Sequence, residues 1–264
     1  MRGAGDQNGV MTRAGGVTGG ARPIEVVLVH GIRTSATMWR SQVAHLTGLG
    51  IDAHAVDLPG HGTRRGEEFT IEGAFATIDE AVQDASTRGD VLLVGHSMGG
   101  LLCLEYAGRV ESPPIAGLVA ASCTALPRGL ALRTYRSLAR TFDRLPDRGL
   151  AISRRVLGST LPPETLDDFE AGGYALDAQD VALASLSSLD LAAAVTRIAV
   201  PLWFVNGQYD QLRVNERLFR RLAPRAELIV VPRTSHLVTA MRPRVFNALL
   251  DVALATLRAA RPAA

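Results

Sequence analysis

The chain contains no lysine, so every one of its 28 basic side chains is arginine, and these stand against 26 acidic ones for a net charge of +2. A nucleic-acid-binding domain shows a strongly basic face and a recognition motif. The near-balance and the lack of any such motif argue against that class. Cysteine is scarce: Cys103 and Cys123 both lie in apolar stretches that read as buried helix and strand. A buried free cysteine behaves as a small hydrophobe. No Cys/His spacing resembles a zinc site, and a reducing compartment, the cytoplasm, is the expected setting. No run of about 18 apolar residues occurs, so no transmembrane helix is expected. The segment Met1–Arg22 is rich in glycine and lacks the apolar stretch of a secretory signal. It predicts a disordered tail, with Met11 as a second possible start of translation.

What is present is a globular composition, 47% hydrophobic and 20% charged over 264 residues, enough apolar material for a core. From Ile24 onward strand-like and helix-like segments alternate. The apolar run Ile24–Val29 reads as a strand buried on both faces, followed by a helix over 38–48, a strand over 52–56 and the turn Pro59-Gly60-His61-Gly62. A helix over 71–86, a strand over 91–94, a helix over 101–108 and a strand over 115–122 come next. Residues 126–193 are helical in composition, without a convincing strand. Strands resume over 202–205 and 228–231, and a helix over 245–259 closes the chain. Alternating β and α elements imply a parallel sheet with helices on both faces. The expected fold is therefore α/β, with about six strands. The expected domains are a tail over 1–22, a core over 23–125 and 194–264, and a helical cap over 126–193 inserted above the sheet.

The sequence Gly95-His96-Ser97-Met98-Gly99 sits between a buried strand and a helix. A G-x-S-x-G string in that setting places its serine on a tight, strained strand-to-helix turn, with Oγ projecting above the sheet. Side chains two positions to either side would collide with the neighbouring strand and helix, which demands glycine at 95 and 99. The helix N-terminus beyond the serine stabilises negative charge developing nearby.

These residues resemble the nucleophile elbow of α/β-hydrolases. Val29-His30-Gly31 is similar to that family's oxyanion loop, and Asp57-Leu58-Pro59-Gly60-His61-Gly62 to the turn after its next strand. The resemblance spans about residues 24–259. It implies a cofactor-free serine hydrolase of the compact, carboxylesterase-like kind that lacks the family's first two strands. The family order is Ser, then acid, then His. Of the six histidines only His236 follows the elbow, in the loop after the strand over 228–231, and so becomes the expected base. Asp210, after the strand over 202–205, resembles the family's acid; Asp177, Asp180 and Asp190 are rivals within the helical insertion. By the same likeness the oxyanion hole consists of the backbone N–H groups of Met98 and Ile32. His30, His61 and Asp57 are expected to hydrogen-bond loops beside the sheet, and His96 to orient the elbow.

The insertion is polarised. Residues 128–155 hold eight Arg and two Asp, and residues 164–190 hold seven acids and no base. Arg133, Arg136, Arg140 and Arg144 recur at helical spacing, with Tyr135, Leu138, Phe142 and Leu145 on another face. Either the two charged sets face solvent or each other, or the arginines line an entrance for an anionic substrate. The expected activity is hydrolysis of a small or medium carboxylic ester through an acyl-enzyme, with no cofactor or metal, a small-molecule ester or acyl compound as substrate, and no nucleic-acid or integral-membrane partner. Glu105-Tyr106 resembles editing thioesterases, which keeps acyl-thioesters open as substrates. The same three residues also serve hydroxynitrile-lyase-like chemistry, which needs a cation near the nucleophile, here necessarily an arginine, and a ligand receptor without turnover. The substrate and the oligomeric state do not follow from the sequence.

Overall fold

The computed structural model describes residues 22–109 and 113–260; the expected tail, all but Arg22, and the two candidate start methionines lie outside them. Six strands form one all-parallel sheet: β1 (Ile24–Val29), β2 (Asp52–Val56), β3 (Asp90–His96), β4 (Gly117–Ala121), β5 (Leu202–Gly207) and β6 (Glu227–Val231). Their spatial order is β2-β1-β3-β4-β5-β6. The four inner strands are buried along nearly their whole length, whereas the edge strands β2 and β6 are only partly covered. That is why the inner strands read as continuous apolar runs without alternation.

Side chains alternate across the pleat and build two apolar layers. On one face Val27, Leu93, Leu118 and Phe204 pack against α2 (Ile71–Arg88), α3 (Met98–Arg109), α8 (Leu191–Arg197) and α9 (Glu216–Leu222). On the other, Val26, Leu92, Val119 and Trp203 pack against α1 (Arg40–Gly48) and α11 (Pro243–Ala259). Local signals set the helix ends. The Thr70 hydroxyl accepts from the Gly73 amide at the start of α2, and proline occupies the first turn of α11.

Between β4 and β5 the chain forms α4 (Gly129–Asp143), α5 (Leu150–Thr160), α6 (Pro163–Ala171), α7 (Gln179–Ser185) and α8, with no strand among the described residues. The expected boundary at residue 193 falls inside α8, which lies against α3 in the sheet layer. Cys123 sits just past the end of β4, not within the strand. Both cysteines are free and buried, and burial pushes their thiol pKa values up.

Candidate active site

The β3–α3 junction presents Ser97. Its φ is 54°, in the left-handed region that a β-carbon disfavours. Its amide donates to the Ala121 carbonyl at 2.8 Å, and its carbonyl accepts from the Leu101 amide at 3.0 Å, so strand and helix both hold the turn. A β-carbon at position 95 would meet the Gly99 carbonyl oxygen at 2.6 Å, and one at position 99 would overlap the Val29 and His30 carbonyls. Both glycines are thus required by backbone approach, as the motif predicts.

His236 lies beyond β6, and its Nε2 is 2.9 Å from Ser97 Oγ. Its Nδ1 is 3.1 Å from Asp210 Oδ1, in the loop after β5. Asp210 Oδ1 also accepts from the Leu212 amide at 2.8 Å. Burial raises the Asp210 pKa, but hydrogen bonds from His236 and Leu212 and the Ser122 hydroxyl beside it outweigh burial and hold it below the ordinary carboxylate range. An ionised Asp210 fixes the tautomer: Nδ1–H donates to the carboxylate, and Nε2 is left to accept from the serine hydroxyl. The loops that carry Asp210 and His236 are stitched together, the Tyr209 amide donating to the Thr234 carbonyl at 2.9 Å and the Arg233 amide to Gln208 Oε1 at 2.9 Å.

The amides of Ile32 and Met98 donate no hydrogen bond among the described residues, and both residues line the cavity onto which Ser97 opens. Met98 is the first residue of α3, where amides lack an intrahelical acceptor. The Ile32 loop is held from behind. His30 Nδ1–H donates to the Gly31 carbonyl at 2.7 Å, and its Nε2 accepts from the Leu58 amide at 3.0 Å. Asp57 accepts from the Ala36 and Thr63 amides at 2.7 and 2.8 Å. Burial drives the His30 pKa down to about 3 and lowers that of His61 as well. These residues tie loops together, as expected from the sequence.

The three rival acids are engaged elsewhere. Asp180 pairs with Arg136 and Arg140, Asp177 with Arg148, and Asp190 caps α8. Glu105 and Tyr106 do not line the cavity; the Tyr106 hydroxyl donates to Asp79 at 2.9 Å.

Two features were not legible in the motif. His96 Nε2–H donates to the His236 carbonyl at 2.9 Å, so His96 holds the loop that carries His236 where orientation of the elbow was expected. Burial lowers its pKa to about 4, which keeps the ring neutral. Ser122, with φ of 52° at the end of β4, is the second; its only sequence signal is a polar residue closing an apolar strand.

The cavity above Ser97 measures about 590 Å³, within the range of about 300–1,000 Å³ usual for small-molecule sites. Ile32, Met98 and Leu101 form its floor; Leu126, Tyr135 and Leu183 belong to its walls. The cavity is almost wholly apolar.

The sequence profile described as "Alpha/beta hydrolase family" matches residues 26–249. The chain belongs to the alpha/beta hydrolase family. Among relatives, it is 28% identical over 238 residues to a pimeloyl-[acyl-carrier protein] methyl ester esterase of Stenotrophomonas maltophilia, covering 83% of this chain and 88% of that one. It is 33% identical to phospholipase YtpA of Bacillus subtilis over 113 residues, a match spanning only 38% of this chain and 41% of the relative. Among solved structures, a thermophilic esterase from Thermogutta terrifontis superposes with a TM-score of 0.71 at 21% identity, over 90% of this chain and 91% of that one. This alpha/beta hydrolase thus has esterases among its relatives, and no helix among its described residues is long and apolar enough to cross a membrane.

Proposed function

We propose that this alpha/beta hydrolase is a serine carboxylesterase acting on small or medium esters with an apolar acyl part. The observation that carries the reading is the continuous hydrogen-bonded series Ser97–His236–Asp210 opening onto an apolar cavity. His236 Nε2 takes the hydroxyl proton as Ser97 Oγ attacks the ester carbonyl. The negative charge formed on the carbonyl oxygen is received by the Ile32 and Met98 amides, and losing one such donor costs about 2.7–4 kcal/mol of transition-state stabilisation. The imidazolium then protonates the leaving alcohol. Water, deprotonated by the same nitrogen, releases the acid. Asp210 keeps the tautomer and stabilises the imidazolium.

Esterase relatives support the choice of ester, and two free buried cysteines are consistent with a reducing, cytoplasmic setting. Labelling with a fluorophosphonate, wild type beside Ser97→Ala, tests the nucleophile; para-nitrophenyl esters of rising chain length test the reaction. The expected result is labelling and turnover in the wild type, with both abolished in a folded Ser97→Ala, a loss of about 10⁴-fold or more. Matched acyl-thioesters in the same assay separate an esterase from a thioesterase. Labelling without turnover of any ester defeats the esterase reading.

A further inference from the structure

The cavity onto which Ser97 opens is rimmed by aliphatic side chains that line it and meet solvent at once. Leu130 and Leu138 on α4 and Val214 beyond β5 all belong to the lining, and each is more than half exposed. Tyr135, between the two leucines, lines the cavity as well and is itself exposed. No charged side chain among the described residues takes part in the lining. A surface helix ordinarily turns its apolar stripe toward a core. Aliphatic groups left in water around the mouth of a cavity mark a surface that binds a partner.

The charges left over beside this rim are positive. Helical periodicity puts Leu130, Tyr135 and Leu138 on one sector of α4 and Arg133, Arg140 and Arg144 on the next. Arg140 pairs with Asp180. Arg133, which stands between the lining residues Leu132 and Thr134, is exposed and has no acidic partner among the described residues; the same holds for Arg144. Arg217, three positions beyond Val214, is also exposed and unpaired. Nearby acids are engaged: Asp143 pairs with Arg148, Glu216 with Arg213, and Asp147 accepts from the Ala151 amide at 2.9 Å.

We propose that this rim docks on an anionic lipid surface, with Leu130, Leu138 and Val214 in the boundary between headgroups and acyl chains and Arg133, Arg144 and Arg217 at the level of the phosphates. A bilayer holds apolar chain beneath a plane of negative charge, so a single occupant meets both parts of the surface. The apolar cavity behind the rim continues that environment inward. A second copy of the chain would bring the same unpaired arginines to face these and be repelled. An acidic protein would meet the arginines and leave the aliphatic rim to be covered by something else. The proposal goes beyond the esterase reading and does not depend on it.

Flotation of the full chain with vesicles tests it, comparing phosphatidylcholine alone with phosphatidylcholine containing about one-third phosphatidylglycerol. Partition into the anionic vesicles is expected to exceed that into the neutral ones by about tenfold or more, and to fall as salt rises from about 0.05 to 0.5 M. Replacing both leucines, Leu130→Ser with Leu138→Ser, is expected to lower anionic partition by about tenfold or more. Arg133→Gln with Arg144→Gln is expected to lower it by about tenfold. All four side chains are exposed, so melting temperatures should stay near wild type. Arg225→Gln serves as control: Arg225 is exposed just before β6, at the end of the strands away from the cavity, and its loss should leave partition unchanged. No partition, equal partition into both vesicle types, partition that survives either double variant, or an equal loss with Arg225→Gln overturns the proposal. Light scattering adds one more overturning result: a dimer that the two leucine replacements dissociate would give the rim to a second copy. Fluorophosphonate labelling of Ser97 in the same samples reports on the esterase reading separately, and its failure leaves the vesicle result intact.

Discussion

Helix α3 and helix α4 are of similar length, and both touch the cavity, yet they are built on opposite principles. In α3 every residue from Met98 to Gly108 is buried between sheet and neighbouring helices. In α4 none of the described side chains is buried, and Leu130, Tyr135 and Leu138 are 78%, 42% and 56% exposed although each lines the cavity. One helix holds the proposed nucleophile at the end of a strand, where a small displacement breaks a 2.9 Å hydrogen bond. The other leaves an apolar surface open to the cavity. On its charged face Arg136 and Arg140 both pair with Asp180, so the basic and acidic stretches of the insertion meet at that point. On the proposed reading, chemistry belongs to the packed region and substrate choice to the exposed one.

The sharpest way to break that contrast is in the packed region. Asp210→Asn is expected to lower kcat by about 10⁴-fold, because the amide leaves His236 in the wrong tautomer, while Asp190→Asn leaves turnover near wild type. Steady-state kinetics of both variants checks this, and the reverse pattern would transfer the acid role to Asp190.

Next comes acid stability, which also belongs to the packed region. His30 and His96 have pKa values of about 3 and about 4 in the folded chain, against about 6.5 when unfolded. Below pH 6.5 the unfolded chain takes up protons that the folded chain refuses. The contribution of the two neutral rings is therefore complete above 6.5 and lost as pH falls toward 4 and then 3, at up to about 1.4 kcal/mol per pH unit for each ring. Asp210, held below its ordinary value, adds stability that is lost only as pH falls below about 3.9. Urea midpoints measured across this range should fall steeply below pH 6.5, and His96→Gln should flatten the slope. A midpoint constant from pH 7 to 4 would contradict the buried, neutral rings.

Smaller effects belong to the exposed region. Leu138→Ala is expected to raise KM for longer acyl chains by roughly fivefold, the loss of about 1 kcal/mol of apolar contact. Stability should stay within about 0.5 kcal/mol, which a chain-length series with melting curves checks. Smallest of all, Asp180→Asn removes a carboxylate that is 40% exposed, and at such exposure the two arginine pairs are worth at most about 1 kcal/mol. A large loss of stability there would mean that the helical block is held by its ion pairs more than by its packing.

Much of the packed region is readable along the chain. Val91–Val94 followed by Gly95-His96-Ser97-Met98-Gly99 predicts a strand, a strained turn and a helix because each of these is a local event, set by periodicity and by the space available to a β-carbon. Helix boundaries moved by a few residues, as in α3, which starts at Met98 where the apolar pattern suggested 101, since the first helical turn lies inside the glycine motif itself. The proposed base follows from the family's residue order, since one histidine lies beyond the elbow. Other features exist only in three dimensions. The apolar face predicted for α4 gives no hint that it covers a cavity rather than a core, because periodicity records that a face is apolar and not what lies opposite. His96 reaches the His236 carbonyl across 140 positions of sequence, and the meeting of Asp180 with Arg136 and Arg140 likewise spans the helical block. Sequence alone determined the sheet and the elbow, since these follow from periodicity and short-range sterics, and with the family's residue order it singled out His236 as the expected base. Only the tertiary structure decided the shape of the cavity, since that is set by which distant side chains meet.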